Sequence, residues 1–336
     1  MENVTRTQTE YGGFLPLELN QGMEYFAKYE PYLMRFNSVK AALDEIIKRI
    51  GKKVIYVPYY YCPSTTEAIR KTGTDICFYH VNEKLEPVGI PDEGDSVVLL
   101  VDYFGVRQKT VSEAAKKFLS ADVIIDWAHD FFAEPVKGDR IHNIYSAKKF
   151  FGIPDGAYLV SNAVIPAVEA PTFAHGYMEY LVTAYEEGTN AAYMAKKDTD
   201  RYLFAHYGSM SAVSIGLLKN VDYECVRAKR TANYRMLYEA FKDTNKLMMP
   251  DDCAGYQFPL LIDNGRLVKQ KLVDEKIYVS TLWSGSDLKE NGNDFEFFMM
   301  SDAVFLPMDQ RYDEEDMKYI VSRVKSAVEE VNGKQK

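Results

Sequence analysis

Residues 96–130, SVVLLVDYFGVRQKTVSEAAKKFLSADVIIDWAHD, carry the pattern that decides the fold class. Two near-continuous apolar runs, 96–105 and 121–130, are typical of strands that are buried on both faces. The segment between them, 110–120, predicts a helix. A buried strand, a helix and a second buried strand in this order predict two parallel strands that are covered by helices.

The same alternation continues on both sides of this stretch. Further strands are predicted at 52–61, 74–81 and 156–161, and further helices at 38–50 and 64–73. In helix 38–50 the apolar residues recur at the i, i+3, i+4 spacing of a helix with one buried face. They are Ala42, Leu43, Ile46, Ile47 and Ile50. The sequence therefore predicts an α/β fold with a large, mostly parallel sheet between layers of helices.

The pattern changes after residue 170. Residues 173–206 are rich in Tyr and Ala and are predicted to be helical, and 211–243 is predicted to form one long or kinked helix. The chain then alternates again, with predicted strands at 256–262, 277–283 and 302–307 and predicted helices at 265–275 and 314–331. We therefore expect a large domain at 1–225 and a small C-terminal α/β domain at 226–336.

The composition is that of an ordinary globular protein, with 47% hydrophobic and 26% charged residues. A net charge of −9 argues against nucleic acid or a membrane surface as a partner. The four cysteines and five histidines show no metal-binding spacing, so no metal site is expected. The opening residues lack the apolar core of a secretory signal, and we expect a cytoplasmic protein.

The segment VIIDWAHD places Asp126 and His129 directly after an apolar strand. Parallel sheets bind ligands at the carboxyl ends of their strands, so these side chains are candidates for a binding site. An acid in this place could bind a metal, cap a helix or hold a protonated ring nitrogen. For a lone Asp the helix cap is the commonest of these uses.

The segment IYSAKKFFGIPDGAY places Ser146 and Lys149 in an S-x-x-K arrangement before a loop and an apolar strand. A lysine at the edge of an apolar site loses solvation, its pKa falls, and its amine can attack a carbonyl group to form a Schiff base. The arrangement by itself is weakly specific, since serine–lysine hydrolases carry it too. The alternative of a solvated surface lysine fits Lys148 better than Lys149.

A third feature is RFNSVKAAL, which brings Asn37 and Ser38 to the first turn of a helix. The free N–H groups of such a turn can hold a phosphate group, although a plain N-cap explains the residues equally well. A phosphate site, an acid for a ring nitrogen and a Schiff-base lysine are together what pyridoxal 5′-phosphate (PLP) requires.

The order and spacing of these motifs resemble the DegT/StrS group of fold-type I PLP enzymes, which are mostly sugar aminotransferases. The family's helix-start motif, N-S-G-T-x-A-L, is matched by 37–43, and its strand-end motif, E-D-x-A-H/Q, by 125–129. In its lysine motif an acid and a glycine follow the Schiff-base lysine by six and seven residues, which Lys149, Asp155 and Gly156 match. The resemblance covers nearly the whole chain and implies the PLP-dependent transferase fold of type I.

The resemblance also implies roles around the cofactor ring. Asp126 would pair with the pyridinium nitrogen, and His129 would lie near the phenolic oxygen or the ring face. Lys149 would hold the cofactor as a Schiff base and then move a proton during catalysis. The family stacks an aromatic residue on the ring where this chain has Cys62, so stacking is assigned to the adjacent Tyr61.

The phosphate group would be bound by Ser146, by the helix start at Ser38 and by the backbone N–H groups of Val39 and Lys40. Here the chain departs from the family, because Val39 replaces a glycine and Lys40 replaces a small hydroxyl residue.

In function, the resemblance implies an aminotransferase that moves an amino group, with glutamate as the expected donor, to a nucleotide- or lipid-linked keto-sugar in glycan biosynthesis. The alternative is a PLP-binding protein of the same fold without transaminase activity, which would act as a structural or regulatory partner or as a sugar dehydratase. Residues 207–218 resemble the family's dimer-contact segment, which implies a homodimer with a shared active site.

Overall fold

A computed structural model of the protein describes residues 12–162, 170–285 and 287–333. The N-terminal residues used above to predict location, 1–11, lie outside these ranges. The strands are β1 (Leu33–Phe36), β2 (Val54–Pro58), β3 (Asp75–Val81), β4 (Pro87–Val88), β5 (Ser96–Val101), β6 (Asp122–Asp126), β7 (Ile141–Ser146), β8 (Ala157–Val160), β9 (Phe258–Leu261) and β10 (Ala303–Leu306).

The helices alternate with the strands in the first half of the chain and dominate the second. They are α1 (Val39–Ile50), α2 (Pro63–Arg70), α3 (Gln108–Ala115), α4 (Glu179–Glu186), α5 (Tyr193–Ala205), α6 (Ala212–Leu218), α7 (Tyr223–Phe241), α8 (Gly265–Asp274), α9 (Asp294–Asp302) and α10 (Glu314–Gly333). Within the described ranges, no helix combines the length and the apolar character needed to cross a membrane.

Eight of the described strands form one sheet in the order β1-β8-β7-β6-β5-β2-β3-β4. Strands β3, β2, β5, β6 and β7 run parallel to one another. The antiparallel pairs are β3 with β4 at one end of the sheet and β7 with β8 and β8 with β1 at the other. The prediction of a mostly parallel sheet is therefore confirmed. Since β6 and β7 are parallel neighbours, their carboxyl ends lie at the same edge of the sheet.

Both faces of this sheet are buried, which explains the near-continuous apolar strands. In β5, Val97, Leu99 and Val101 belong to one hydrophobic cluster, and the alternating Val98 and Leu100 belong to another. Side chains of a strand point alternately to its two faces, so each cluster covers one face. The unbroken apolar run Val97–Val101 of β5 is thus a consequence of helices packing on both sides.

The C-terminal part contains the two-stranded antiparallel sheet of β9 and β10, with α8, α9 and α10 around it. Its core is continuous with the first cluster of the large sheet, for example where the rings of Phe104 and Phe305 approach to 4.7 Å. The expected domain boundary after residue 225 falls in the first turn of α7. A division at this place stays a prediction.

Two details of the predicted elements are different in the structure. The single long helix predicted at 211–243 is two helices, α6 and α7, and the second begins where the Asp222 side chain accepts a hydrogen bond from the Cys225 N–H at 2.9 Å. The strand predicted at 277–283 is wrong, because only Ser280 forms a bridge, with Phe305. Lys276 and Trp283, beside and within this segment, have φ angles of 63° and 61°, which a β-strand does not accommodate.

Candidate active site

The sheet topology brings the three predicted motifs together. Asp126 is the last residue of β6 and Ser146 the last residue of β7, so both lie at the carboxyl edge of the sheet. The start of α1 is tied to the loop after β7, because the Gly156 N–H donates to the Asn37 carbonyl oxygen at 3.1 Å. Segments that are more than a hundred residues apart in sequence therefore share one edge.

The two adjacent lysines face different groups. The Nζ atom of Lys149 lies 2.6 Å from Nε2 of His129. The Nζ atom of Lys148 lies 2.9 Å from a carboxylate oxygen of Asp200, with which it forms an ion pair. Burial lowers the pKa of the Lys149 ammonium, and nearby Cys62 acts in the opposite direction. Of the two lysines, Lys149 thus has the amine without a direct carboxylate partner.

Asp126 is buried and accepts two hydrogen bonds. One oxygen accepts the Ala128 N–H at 2.8 Å, and the other accepts the Tyr61 hydroxyl group. Burial raises the pKa of the Asp126 carboxyl, whereas these hydrogen bonds and the charge of Lys149 lower it. Tyr61, which was predicted to stack on a ring, is therefore placed with its hydroxyl on this carboxylate.

His129 is buried, and its Nδ1 atom makes no hydrogen bond among the described residues. Burial, and then the charge of Lys149, hold the pKa of the imidazole well below its usual range. When the ring is neutral and Nε2 accepts a hydrogen bond from the Lys149 amine, Nδ1 carries the ring N–H. The imidazole is therefore placed as a neutral hydrogen-bond acceptor for the Lys149 amine.

The backbone beside His129 requires a glycine at position 105. Gly105 has a φ angle of 82°, and a Cβ atom there would lie 2.2 Å from the carbonyl oxygen of His129. The same carbonyl oxygen accepts the Tyr256 N–H at 2.9 Å. The backbone at His129 is thus packed closely against the backbone at Gly105 and at Tyr256.

The start of α1 combines an ordinary cap with free donors. The Ser38 hydroxyl accepts the Ala41 N–H at 3.2 Å, so Ser38 is the N-cap. In this geometry the N–H groups of Val39 and Lys40 have no partner within the helix. The Nζ atom of Lys40 lies 5.2 Å from the centre of the Phe204 ring, a cation–π contact with α5. Two backbone N–H groups are therefore placed to bind an anion.

Asp155 and Gly156, which identified the register of the lysine motif, shape the loop. Asp155 is fully buried and accepts the Ser211 N–H at 2.9 Å and the Tyr177 hydroxyl at 2.8 Å. Gly156 has a φ angle of 142°, and a Cβ atom would lie 3.0 Å from the Ile153 side chain. Both residues thus hold the loop that carries Lys149 against the segment before α6.

Two residues of the site were not found from the sequence. The ring of Tyr256 lies 5.2 Å from that of His129 and 5.3 Å from Nζ of Lys149, and the ring of Trp283 lies 5.5 Å from that of His129. Both residues come from the C-terminal part of the chain, outside any motif. No local spacing connects them with His129, so only the tertiary structure reveals them.

No protein-family model matches the chain, and no curated protein is similar to it in sequence. Solved structures do match. A DegT/DnrJ/EryC1/StrS aminotransferase from Brucella abortus is 15% identical, aligns over 88% of this chain and 85% of its own, and has a TM-score of 0.60. Sugar aminotransferase CalS13 from Micromonospora echinospora is 14% identical over 91% of this chain and 93% of its own, with a TM-score of 0.60.

A third match is PseC from Helicobacter pylori, an aminotransferase involved in the biosynthesis of pseudoaminic acid. It is 14% identical over 89% of this chain and 87% of its own, with a TM-score of 0.60. At these identities the likeness establishes the fold. The chain therefore has the α/β fold of the PLP fold-type I sugar aminotransferases, and the fold that the motifs implied is confirmed.

A further carboxyl group lies buried behind the site. Asp130, one residue after His129, has a pKa raised to about 7, mainly by burial. Burial, and then the charge of Asp130, also raise the pKa of the fully buried Asp102. Because the folded state disfavours the charged form, its contribution to stability is present at low pH. It is lost as the pH rises from the ordinary value of 3.8 to about 7.

We therefore expect Asp130→Asn to flatten the pH dependence of stability. Between pH 4 and 7 the free energy of unfolding should fall less in the variant than in the original chain, by a few kcal/mol at most. Urea unfolding at several pH values measures this difference. As a control, Asp139→Asn changes an exposed carboxyl group and should leave the pH dependence of the free energy of unfolding unchanged. Equal slopes for Asp130→Asn and the original chain would contradict the prediction.

Proposed function

We propose that the protein is a PLP-dependent aminotransferase that transfers an amino group, with glutamate as donor, to a nucleotide- or lipid-linked keto-sugar in glycan biosynthesis. The observation that carries the proposal is the buried amine of Lys149, 2.6 Å from an imidazole nitrogen and close to the Asp126 carboxyl, at the carboxyl edge of a parallel sheet. The same edge carries the free N–H groups of α1. The fold shared with PLP-dependent aminotransferases supports the same conclusion.

The donor set fits PLP in chemistry. An aldehyde needs a primary amine with a lowered pKa, which Lys149 provides. A pyridinium nitrogen needs a buried carboxylate, which Asp126 provides, and a phosphate needs N–H and hydroxyl donors, which the start of α1 and Ser146 provide. The unpartnered Nδ1 of His129 is a buried polar atom in the same place.

When bound, PLP supplies an aldehyde that condenses with amines and a ring that accepts electron density from the carbon beside the nitrogen. The protein's own residues bind and move protons around it. Burial favours the neutral amine of Lys149, which can accept a proton from one carbon of the substrate and donate it to another. Asp126 holds a proton-bearing nitrogen by its negative charge, and the Tyr61 hydroxyl orients that carboxylate.

The surroundings of the site favour an anionic substrate. The charges of Lys40 and Lys196 both act on Lys149, so these side chains lie near it, although the whole chain has a net charge of −9. Lys196 is paired with Asp200, which leaves the charge of Lys40 as the main contribution. A concentration of positive charge at one place in an acidic protein attracts anions to that place. Glutamate and a phosphate-linked sugar both carry such charge.

One observation favours the second candidate, a PLP-binding protein of this fold without transaminase activity. The Ala128 N–H donates to one oxygen of the Asp126 carboxylate, and the Tyr61 hydroxyl already donates to the other. If that bond persists with the cofactor bound, the ring is a weaker electron acceptor and proton removal from the substrate is slow. Binding of PLP without a response to glutamate distinguishes this candidate from the first.

We expect Lys149→Ala to abolish covalent capture of PLP, because the variant lacks the amine that reacts with the aldehyde. Absorbance of the purified chain with PLP, before and after glutamate, measures capture and the amino-transfer response. Borohydride reduction followed by peptide mapping identifies the lysine that carries the cofactor. Lys148→Ala is the matched control and should keep both signals, since its amine is paired with Asp200. A label on Lys148 would show that the lysine assignment is wrong.

We expect Asp126→Asn to slow the reaction with glutamate at least about 100-fold, because the amide carries no charge to hold a protonated ring nitrogen. The Ala128 N–H can still bond to the amide oxygen, so the melting temperature and most of the PLP content should be preserved. Stopped-flow absorbance measures the rate. A rate close to that of the original chain would remove Asp126 from the proposed role.

We further propose a homodimer in the cytoplasm whose active sites lie at the interface. The helical segment of α4 and α5 contacts Lys148 and exposes large apolar side chains. Among them are Tyr185, Tyr193 and Met194. Tyr180 of the same segment lies within 5.5 Å of the Lys148 amine, so this apolar surface borders the site. Stable dimers bury about 2,000 Å² or more, and exposed apolar area of this kind is typical of such interfaces.

Light scattering of the full chain should give a mass of about twice 38.4 kDa. Tyr185→Glu should shift the protein toward the monomer and weaken PLP binding, because it places a charge in the proposed apolar contact. Leu119→Glu changes another exposed apolar residue, in the segment between α3 and β6, and serves as the control. A monomer that binds PLP as tightly as the original chain would refute the shared site.

A further inference from the structure

Only one of the two ring nitrogens of His129 makes a hydrogen bond among the described residues. A catalytic imidazole is usually oriented by a hydrogen bond from its second nitrogen to a carboxylate or a carbonyl oxygen. Here Nε2 meets Lys149, whereas Nδ1 has no partner among the described residues. Another interaction must therefore keep Nε2 directed at the lysine.

Aromatic stacking provides that interaction. The indole of Trp283 lies 5.5 Å from the imidazole with an angle of 8° between the planes. The rings of Tyr256, at 5.2 Å and 26°, and Phe104, at 6.2 Å and 26°, are inclined only slightly more. Trp283 is thus the most nearly parallel of the three neighbours, and it has the largest ring.

Trp283 is held in an unfavourable backbone conformation. Its φ angle of 61° is rare for a bulky residue and strains the backbone. Phe104, which stacks on both Trp283 and His129, has a φ angle of 65°. Backbone strain of this kind persists only where packing compensates for it, and it is concentrated at functional sites.

The packing that compensates is extensive. The indole is 9% exposed and contacts the rings of Tyr60 and Tyr103 at 5.0 and 5.7 Å. Shortly after Trp283, Asp287 forms an ion pair with Arg70 of α2, which ties this C-terminal segment to the large sheet. The indole is therefore fixed from both parts of the chain.

We propose that Trp283 is a positioning residue, which orients His129 by stacking so that Nε2 faces the Lys149 amine. It also excludes water from the imidazole and so keeps the ring neutral and able to accept a hydrogen bond from the lysine. The catalytic use of this arrangement rests on the proposed function, but the orientation of His129 by Trp283 does not.

Charged groups near His129 and Lys149 also affect the protonation of these two residues. Lys149 faces His129 directly. The groups that act on Lys149 are Cys62, which precedes α2, Asp126 of β6, Lys40 of α1 and Lys196 of α5. Trp283 carries no charge, so replacing it changes burial and orientation without altering these charges.

The test uses the full chain without added PLP, with histidine labelled by ¹⁵N and followed by NMR across a pH titration. His129→Gln identifies the signal of His129. Trp283→Leu fills part of the space without an aromatic face, and it should raise the His129 pKa toward the usual range and average its ring signals. Trp283→Phe keeps a stacking ring and should preserve most of the original behaviour. Trp127→Phe, a change at the other tryptophan of the chain, is the control for lost packing and should leave the His129 signal as it is.

Addition of PLP then provides a second measurement. The rate of capture by Lys149 should fall on the order of 100-fold in Trp283→Leu, since a displaced catalytic group typically costs this much. If His129 titrates in the same way in Trp283→Leu and in the original chain, the inference is overturned, whether or not the chain binds PLP. If the original chain fails to bind PLP but the titration shifts, the positioning role holds and the proposed function fails.

Discussion

The contact between the Lys149 amine and the His129 imidazole is the interaction on which the site depends. Burial removes solvation from the amine, and a neutral imidazole can accept its hydrogen bond without fixing a positive charge in place. Burial lowers the pKa of Lys148 as well, but there the Asp200 carboxylate opposes this effect by stabilising the charged form. Two neighbouring lysines thus become different chemical groups because one faces a neutral ring and the other a carboxylate.

The sheet makes this contact possible. Parallel strands β6 and β7 end side by side, and residues that follow them, His129 and Lys149, meet although twenty positions separate them. Burial of β5 on both faces keeps the strands rigid at this edge. Gly105 then allows the neighbouring backbone to approach the His129 carbonyl oxygen, which no residue with a Cβ atom could do. Packing and backbone conformation together hold the edge at which the polar groups lie.

The C-terminal part of the chain belongs to the site as well as to the fold. Tyr256 and Trp283 place aromatic rings beside His129, and the core around Phe305 continues into the core of the large sheet. A group buried by residues from two parts of the chain responds to any relative movement between them. The protonation of His129 is therefore coupled to the way in which the C-terminal part packs on the sheet.

The sequence by itself determined the mostly parallel sheet, since a strand buried on both faces must be apolar at nearly every position, as β5 is. It also identified Asp126, Ser146 and Lys149 as candidates, because ligands bind where parallel strands end. Strand β7 and the edge strand β1 were not predicted. The prediction of a strand at 277–283 was wrong because its apolar residues pack against the core from an irregular segment.

Only the tertiary structure decided which groups meet. The pairing of Lys149 with His129, the bond from Tyr61 to Asp126 and the stacking of Trp283 join residues that no local spacing relates. Local sequence records the period of an element and the chemistry of a side chain. Distances between distant segments, and the loss of solvation that shifts a pKa, arise only when those segments pack together.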